Sequence, residues 1–228
     1  MHSVINGDLS VQVAVDTNPM QWTPSPSGTV WRKRVHLVGS PESGQVTSIV
    51  RYEAGADFPV HEHPGGEEIL VLEGVFSDEH GDWPKGTFLL NPEGFRHAPF
   101  SRDGCVLFVK LRQFPGAQRN HVAIPTADMP WAPTVRSGIE VKALYQQDGF
   151  SDTMRLERWT ENSLLETINY PQGAEILVIE GQFEDEVGAY GANCWLRFPA
   201  GSQHTPQTSD ECILYIKEGG FAYLNAAV

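Results

Sequence analysis

Residues 61–74, HEHPGGEEILVLEG, place His61 and His63 one residue apart, with Glu67 four residues after the second histidine. In an extended strand, side chains at i and i+2 leave the same face, so His61 and His63 present two imidazoles side by side while Glu62 turns the other way. The Pro64-Gly65-Gly66 stretch makes a tight connection, and Glu67 opens the next strand facing back towards the pair, with Ile69 and Val71 on its own face. Thirty residues after Glu67, the segment NPEGFRH delivers His97 behind a second Pro/Gly turn. Three imidazoles and one carboxylate aimed into one apolar interior form an N3O ligand set for a divalent transition metal. Burying them together without a metal is costly, because each group needs hydrogen-bond partners or must stay neutral. Zinc, iron, manganese and nickel all accept such ligands. The bound ion would keep one or two positions for water or a substrate, act as a Lewis acid, lower the pKa of bound water or, as iron, activate dioxygen. No further acid, base or nucleophile stands out, so no catalytic residue is assigned. His2, His36, His80 and His121 lack comparable spacing and read as ordinary surface or strand residues.

The elements that must position this set are short strands. VTSIVRYEA, EILVLEGVF, GTFLLNP and CVLFVKLRQF are rich in Val, Ile, Leu and Phe and are separated by Gly, Pro, Asp and Asn. SDEHGDWPKG and EDEVGAYGAN read as hairpin connections, with Gly81 and Gly188 available for positive-φ positions. No segment sustains a helical apolar period. An all-β fold is expected.

The chain also contains itself twice. GEEILVLEGVFSDEHG (66–81) and GAEILVIEGQFEDEVG (173–188) align without a gap at an offset of 107 residues. Arg51 falls on Arg158, Pro92 on Pro199, Gly94 on Gly201, His97 on His204, Cys105 on Cys212 and Lys110 on Lys217. Upstream, VAVDTNPMQW (13–22) matches VAIPTADMPW (122–131) at an offset of 109. Two copies of one domain, residues 1–118 and 119–228, are therefore expected, joined by the Pro/Gly-containing polar stretch 112–121. The duplication serves as an internal control. His61, His63 and Glu67 map onto Ile168, Tyr170 and Ala174, and only His97 has a counterpart, His204. The second copy is thus a degenerate barrel in which His204 packs against Tyr170 or hydrogen-bonds; the alternative is a metal-free small-ligand site there. One metal per chain is expected. Cys105 and Cys212 occupy matching strand positions and read as buried structural thiols.

At 228 residues the chain is long enough for two such cores. A formal charge of −13 argues against nucleic acid and anionic membrane surfaces. Neither a spanning apolar run nor a secretion signal is visible, and three scattered cysteines make no disulfide framework, so a cytoplasmic location is the expectation.

The spacing Gly55-x5-His61-x-His63-x3-Glu67-x6-Gly74 resembles the first cupin motif in full. Gly86-x5-Pro92-x-Gly94-x2-His97 resembles the second motif as far as its histidine, with Ser101 in place of the closing Asn, a turn position rather than a ligand. The resemblance implies two tandem jelly-roll β-barrels, a bicupin. MQWTPSPSGTVWRKR, GGEEILVLEGVFSDEHGDWPKGTFLLNP and GCVLFVKL are similar, more narrowly, to the cupin domain of ChrR-type anti-sigma factors, once per copy. In that family the cupin is a sensory module and a separate N-terminal zinc domain grips the sigma factor. About a dozen residues precede the first repeat here and no Cys-x-x-Cys occurs, so sigma-factor binding is not expected from these residues. Two function classes follow. One is a metal-binding sensory module of the ChrR type. The other is a mononuclear iron dioxygenase cleaving a small diketone or hydroxyaromatic ketone; some cupins of that kind lack the glutamate, so Glu67 counts against carrying over that particular chemistry. A small-molecule ligand or substrate is the expected partner, and a homodimer is compatible with the sequence.

Overall fold

The computed structural model describes residues 3–224 and contains strands, turns and two short 3-10 segments, Thr126–Asp128 and Gly220–Tyr223. His2 lies outside the described residues. The chain divides into two compact units. Among the described residues, the first comprises residues 3–7, 20–128 and 223–224, the second residues 8–19 and 129–222.

In the first unit, Val30–Gly39, Gln45–Tyr52, Cys105–Leu111, Glu67–Asp78, Thr87–Asn91 and Val122–Pro125 pair in that order, each antiparallel to the next. Past a register shift opposite Val106 and Leu107, the far end of Glu67–Asp78 pairs with Gly81–Pro84 and touches Phe100–Ser101. This strand therefore serves both faces of a jelly-roll barrel. Gly74 sits where it crosses over: its φ is 71°, and a Cβ there would lie 2.3 Å from the Gly104 carbonyl oxygen. The second unit repeats the arrangement, with the crossing strand split into Ala174–Glu180 and Gln182–Glu184 around Gly181. There a Cβ would lie 2.1 Å from the Glu211 oxygen. Alternation places Ile69, Val71, Leu107 and Val109 in one barrel interior and Ile176, Val178, Leu214 and Ile216 in the other.

The units are not the two contiguous halves 1–118 and 119–228. Val13–Asp16 pairs with Cys194–Phe198 of the second unit, Ala14 opposite Leu196. Val122–Pro125 pairs with Thr87–Asn91 of the first unit, Ala123 opposite Leu89. Each copy's leading strand thus completes the sheet of the other copy. Because VAVD and VAIP are nearly the same edge-strand sequence, either one fits either edge, and the exchange leaves the hydrogen-bond ladder satisfied in both units. The polar stretch 112–121 is also less open than its composition suggests, since Gln113, Phe114 and Arg119 are buried.

Gly81 and Gly188 do not adopt positive φ. The hairpins are shaped instead by Asp78 and Asp185. Asp78 Oδ1 accepts the backbone N–H groups of His80 and Gly81 at 2.9 and 3.2 Å, and Asp185 Oδ1 those of Val187 and Gly188 at 2.9 and 3.1 Å. Ser101, at the position of the missing Asn, lies in the short strand Phe100–Ser101, and its hydroxyl donates to the Val75 carbonyl of the crossing strand at 2.6 Å.

Candidate metal centre

The short strands His61–Glu62 and Arg96–His97 pair antiparallel with His97 directly opposite His61, while Glu67 begins the crossing strand beside them. One ring nitrogen from each of His61, His63 and His97 falls within 4.8 Å of the others, so the three are placed to bind one metal ion. His61 is half-buried, His63 and His97 are buried, and Glu67 is 6% exposed. The Glu67 Oε2 lies 3.4 Å from His63 Nε2 and 3.5 Å from His97 Nε2, and it accepts from Asn91 Nδ2 at 2.9 Å. All four residues singled out in the sequence therefore meet at one end of the first barrel, and the tightest part of the cluster is the three histidines.

The hydrogen bonds behind the rings fix which nitrogen points inward. His61 Nδ1 donates to the Pro59 carbonyl at 2.9 Å, and His97 Nδ1 donates to Asp78 Oδ2 at 3.0 Å. Each bond leaves Nε2 as the lone-pair atom, the tautomer a metal ligand needs. His63 Nε2 and His97 Nε2 stand only 2.9 Å apart. Two lone pairs cannot face each other so closely without a proton or a cation between them, and a carboxylate is already beside them. That donor set fits a divalent metal. In its absence the two rings respond oppositely. Burial pulls the His63 pKa down despite Glu67. Burial also works against protonated His97, but the Asp78 hydrogen bond and the charges of Glu67, Asp78 and Glu79 outweigh it and raise its pKa.

Asp78 escaped the sequence reading. Its Oδ1 holds the hairpin and its Oδ2 holds His97, and Glu79 accepts the Ala98 N–H at 2.7 Å. The second unit keeps the whole device: Asp185 Oδ2 accepts from His204 Nδ1 at 3.0 Å and Glu186 from the Thr205 N–H at 3.0 Å. The retained acid pair at 78–79 and 185–186 was a visible signal, but retention in both copies reads as scaffold. Of the other described histidines, His36 is buried within its strand and bonded to the Asn6 carbonyl, while His80 and His121 lie against Phe95.

In the second unit the Tyr170 hydroxyl lies 3.2 Å from His204 Nε2, where the first unit has His63. Ile168, Tyr170 and Ala174 are buried in the apolar core there, so the barrel end is filled with side chains. In the first unit a cavity of about 280 Å³ opens beside His61, His63 and Glu67, walled by Val30, Val50, Ile69 and Leu107. Cys105, Cys194 and Cys212 are free and buried. Burial pushes the Cys105 thiol up to about 11 and the Cys212 thiol up to about 12. No helix among the described residues is long and apolar enough to cross a membrane.

The family model described as the ChrR Cupin-like domain matches residues 10–115 and again residues 119–222. The chain belongs to that family. No curated protein matches this cupin in sequence. Among solved structures it is similar to a dioxygenase candidate from Nostoc punctiforme PCC 73102, at TM-score 0.73 and 16% identity over 96% of this chain and 86% of that one. It is also similar to the Lactobacillus farciminis oxalate decarboxylase in its formate complex, at TM-score 0.65 and 12% identity over 94% and 86% of the two chains. A third relative is the bacterial pirin YhhW from Escherichia coli in complex with nickel(II), at TM-score 0.64 and 15% identity over 91% and 98%. At these identities the likeness is one of fold: the chain is a bicupin with a cupin-like metal-binding architecture.

Proposed function

We propose that this bicupin is a single-metal protein whose first barrel holds one divalent transition metal through His61, His63, Glu67 and His97 and presents it to a small molecule. The observation that carries this reading is the convergence of three imidazoles, two of which line the cavity, with the Nε2 atoms of His63 and His97 2.9 Å apart and that of His61 left free by its Pro59 bond. A structural metal is enclosed by its ligands, whereas a working one keeps an open side. Bound there, the metal supplies Lewis acidity and, as iron, dioxygen chemistry. The protein's own residues do the rest. Asp78 and the Pro59 carbonyl hold the imidazole rings in orientation, Asn91 fixes the Glu67 carboxylate, and the apolar walls exclude water from the ligand.

With iron, this reading extends to oxidative cleavage of a small diketone or hydroxyaromatic ketone, in keeping with the dioxygenase candidate among its structural relatives. The family match favours a second reading, a sensory module of the ChrR type in which occupancy of the same site is the signal. Metal analysis of protein purified without added metal, followed by oxygen uptake with a panel of diketones, separates the two. Iron with substrate-dependent oxygen consumption supports the enzyme; one equivalent of zinc without turnover supports the sensor. If the double variant His61→Ala, His63→Ala still carries one metal per chain, the site assignment is wrong.

A further inference from the structure

Four described non-glycine residues adopt positive φ. Three are Asn6, Asn162 and Asn193, of the residue type that tolerates it, and the fourth is Arg112, at φ 60°. The corresponding residue of the second copy is Gly219, at φ 72°. Its N–H donates to the Gly173 carbonyl just as Arg112 N–H donates to Gly66. The fold therefore asks for glycine at this position. The copy that lacks the metal ligands has glycine, and the copy that carries them has arginine.

The backbone of Arg112 is fixed against the metal loop. Its N–H bonds the Gly66 carbonyl at 3.0 Å, its carbonyl accepts from Gln45 Nε2 at 2.8 Å, and its Cα packs on Gly65. Arg112 lines the same cavity as His61, His63 and Glu67. Arg112 has no ion-pair partner among the described residues, and Nη1 reaches only the Gly44 carbonyl, at 3.4 Å. Glu42, the acid whose charge it feels, is already held by Arg32 and Arg34 at 2.8 and 3.1 Å. A half-buried guanidinium left without a carboxylate is an anion receptor, and its planar fork matches a carboxylate. Val30, Val50, Ile69, Leu107 and Val109 supply apolar lining, while Arg32, which also lines the cavity, is paired with Glu42 and leaves Arg112 as the guanidinium there without a carboxylate. At about 280 Å³ the space sits at the small end of ligand pockets.

We propose that Arg112 is the anion-binding residue of this cavity, which takes a small carboxylate with an apolar body and sets its other end against His61, His63 and His97. Only the last clause rests on the metal reading above. Strain at a backbone position is retained where the side chain it presents is needed.

Phenylpyruvate and its methyl ester, titrated calorimetrically into the zinc-loaded and the metal-free chain, test this. Phenylpyruvate binds the zinc-loaded wild type, and the ester binds about tenfold or more weakly, as expected for loss of one charge-assisted contact. Arg112→Gly shows the same loss with an equal or higher melting temperature, because Gly219 already fits this backbone, and Arg112→Lys falls between. The proposal is overturned if phenylpyruvate does not bind, if it binds no better than the ester, or if Arg112→Gly binds it as wild type does. A lowered melting temperature with unchanged affinity makes Arg112 a structural residue and also overturns it. Metal content measured on the same samples keeps the two readings apart. Arg112-dependent binding in a chain that takes up no zinc sinks the metal reading alone, and full zinc occupancy with Arg112-independent binding sinks this one alone.

Discussion

Asp78→Asn and Asp185→Asn are the same substitution made in two copies of the same device, and they should differ in only one respect. In each copy Oδ2 takes a histidine Nδ1–H at 3.0 Å, while Oδ1 takes two backbone N–H groups and one side-chain donor, Trp83 Nε1 at 3.3 Å or the Tyr190 hydroxyl at 3.2 Å. An amide has a single acceptor oxygen. Whichever way it turns, its NH2 meets a donor, so one buried group on either side loses its partner. That costs about 1–3 kcal/mol of unfolding free energy in each variant. The metal-linked effect is confined to the first unit. Loss of the carboxylate behind His97 weakens a metal site by about 10–100-fold, or roughly 1.4–2.7 kcal/mol. Zinc affinity measured against a chromophoric chelator, with urea unfolding of the metal-free proteins, gives both numbers. Asp78→Asn should lose affinity and stability, and Asp185→Asn stability only. Equal loss of affinity in both, or none in Asp78→Asn, would refute the argument that Asp78 positions a ligand.

Tyr170→Phe removes the hydroxyl facing His204 Nε2 and leaves that buried nitrogen unpaired, for an expected loss of about 1–3 kcal/mol in urea unfolding and no change in metal content. Burial lowers the His204 pKa, although Asp185, Glu186 and Glu157 pull the other way. The unfolded chain, with its ordinary value near 6.5, then binds the proton more readily than the folded one. The stability contributed by His204 is therefore present above that value and is lost as the pH falls through the lower folded value, with a slope of at most about 1.4 kcal/mol per pH unit. His204→Gln should show a shallower loss of stability between neutral and mildly acid pH, and a slope identical to wild type counts against this account. Gly74→Ala and Gly181→Ala should each lose about 2 kcal/mol or more in denaturant unfolding, since a Cβ strikes the Gly104 or Glu211 carbonyl in a left-handed backbone. A loss in one copy without the other would contradict the common role assigned to these glycines.

Ligand types at local spacing are legible in a sequence because a metal demands particular atoms and a strand fixes where neighbours point. His61, His63 and Glu67 needed only the period of a strand and one turn, and the second Pro/Gly motif brought in His97. The gapless repeat puts Ile168, Tyr170 and Ala174 at the positions of His61, His63 and Glu67, and Tyr170 does fill the place of an imidazole beside His204. Three things were decided by tertiary structure alone. Which unit each leading strand joins depends on which sheet edge is open when the barrels close, and VAVD and VAIP are too alike to tell. Asp78 bonds a histidine nineteen residues away, across a hairpin whose geometry composition cannot supply. Arg112 lies in a stretch that reads as a polar linker, and only its left-handed backbone, opposite a glycine in the other copy, marks it as a residue held there for its side chain.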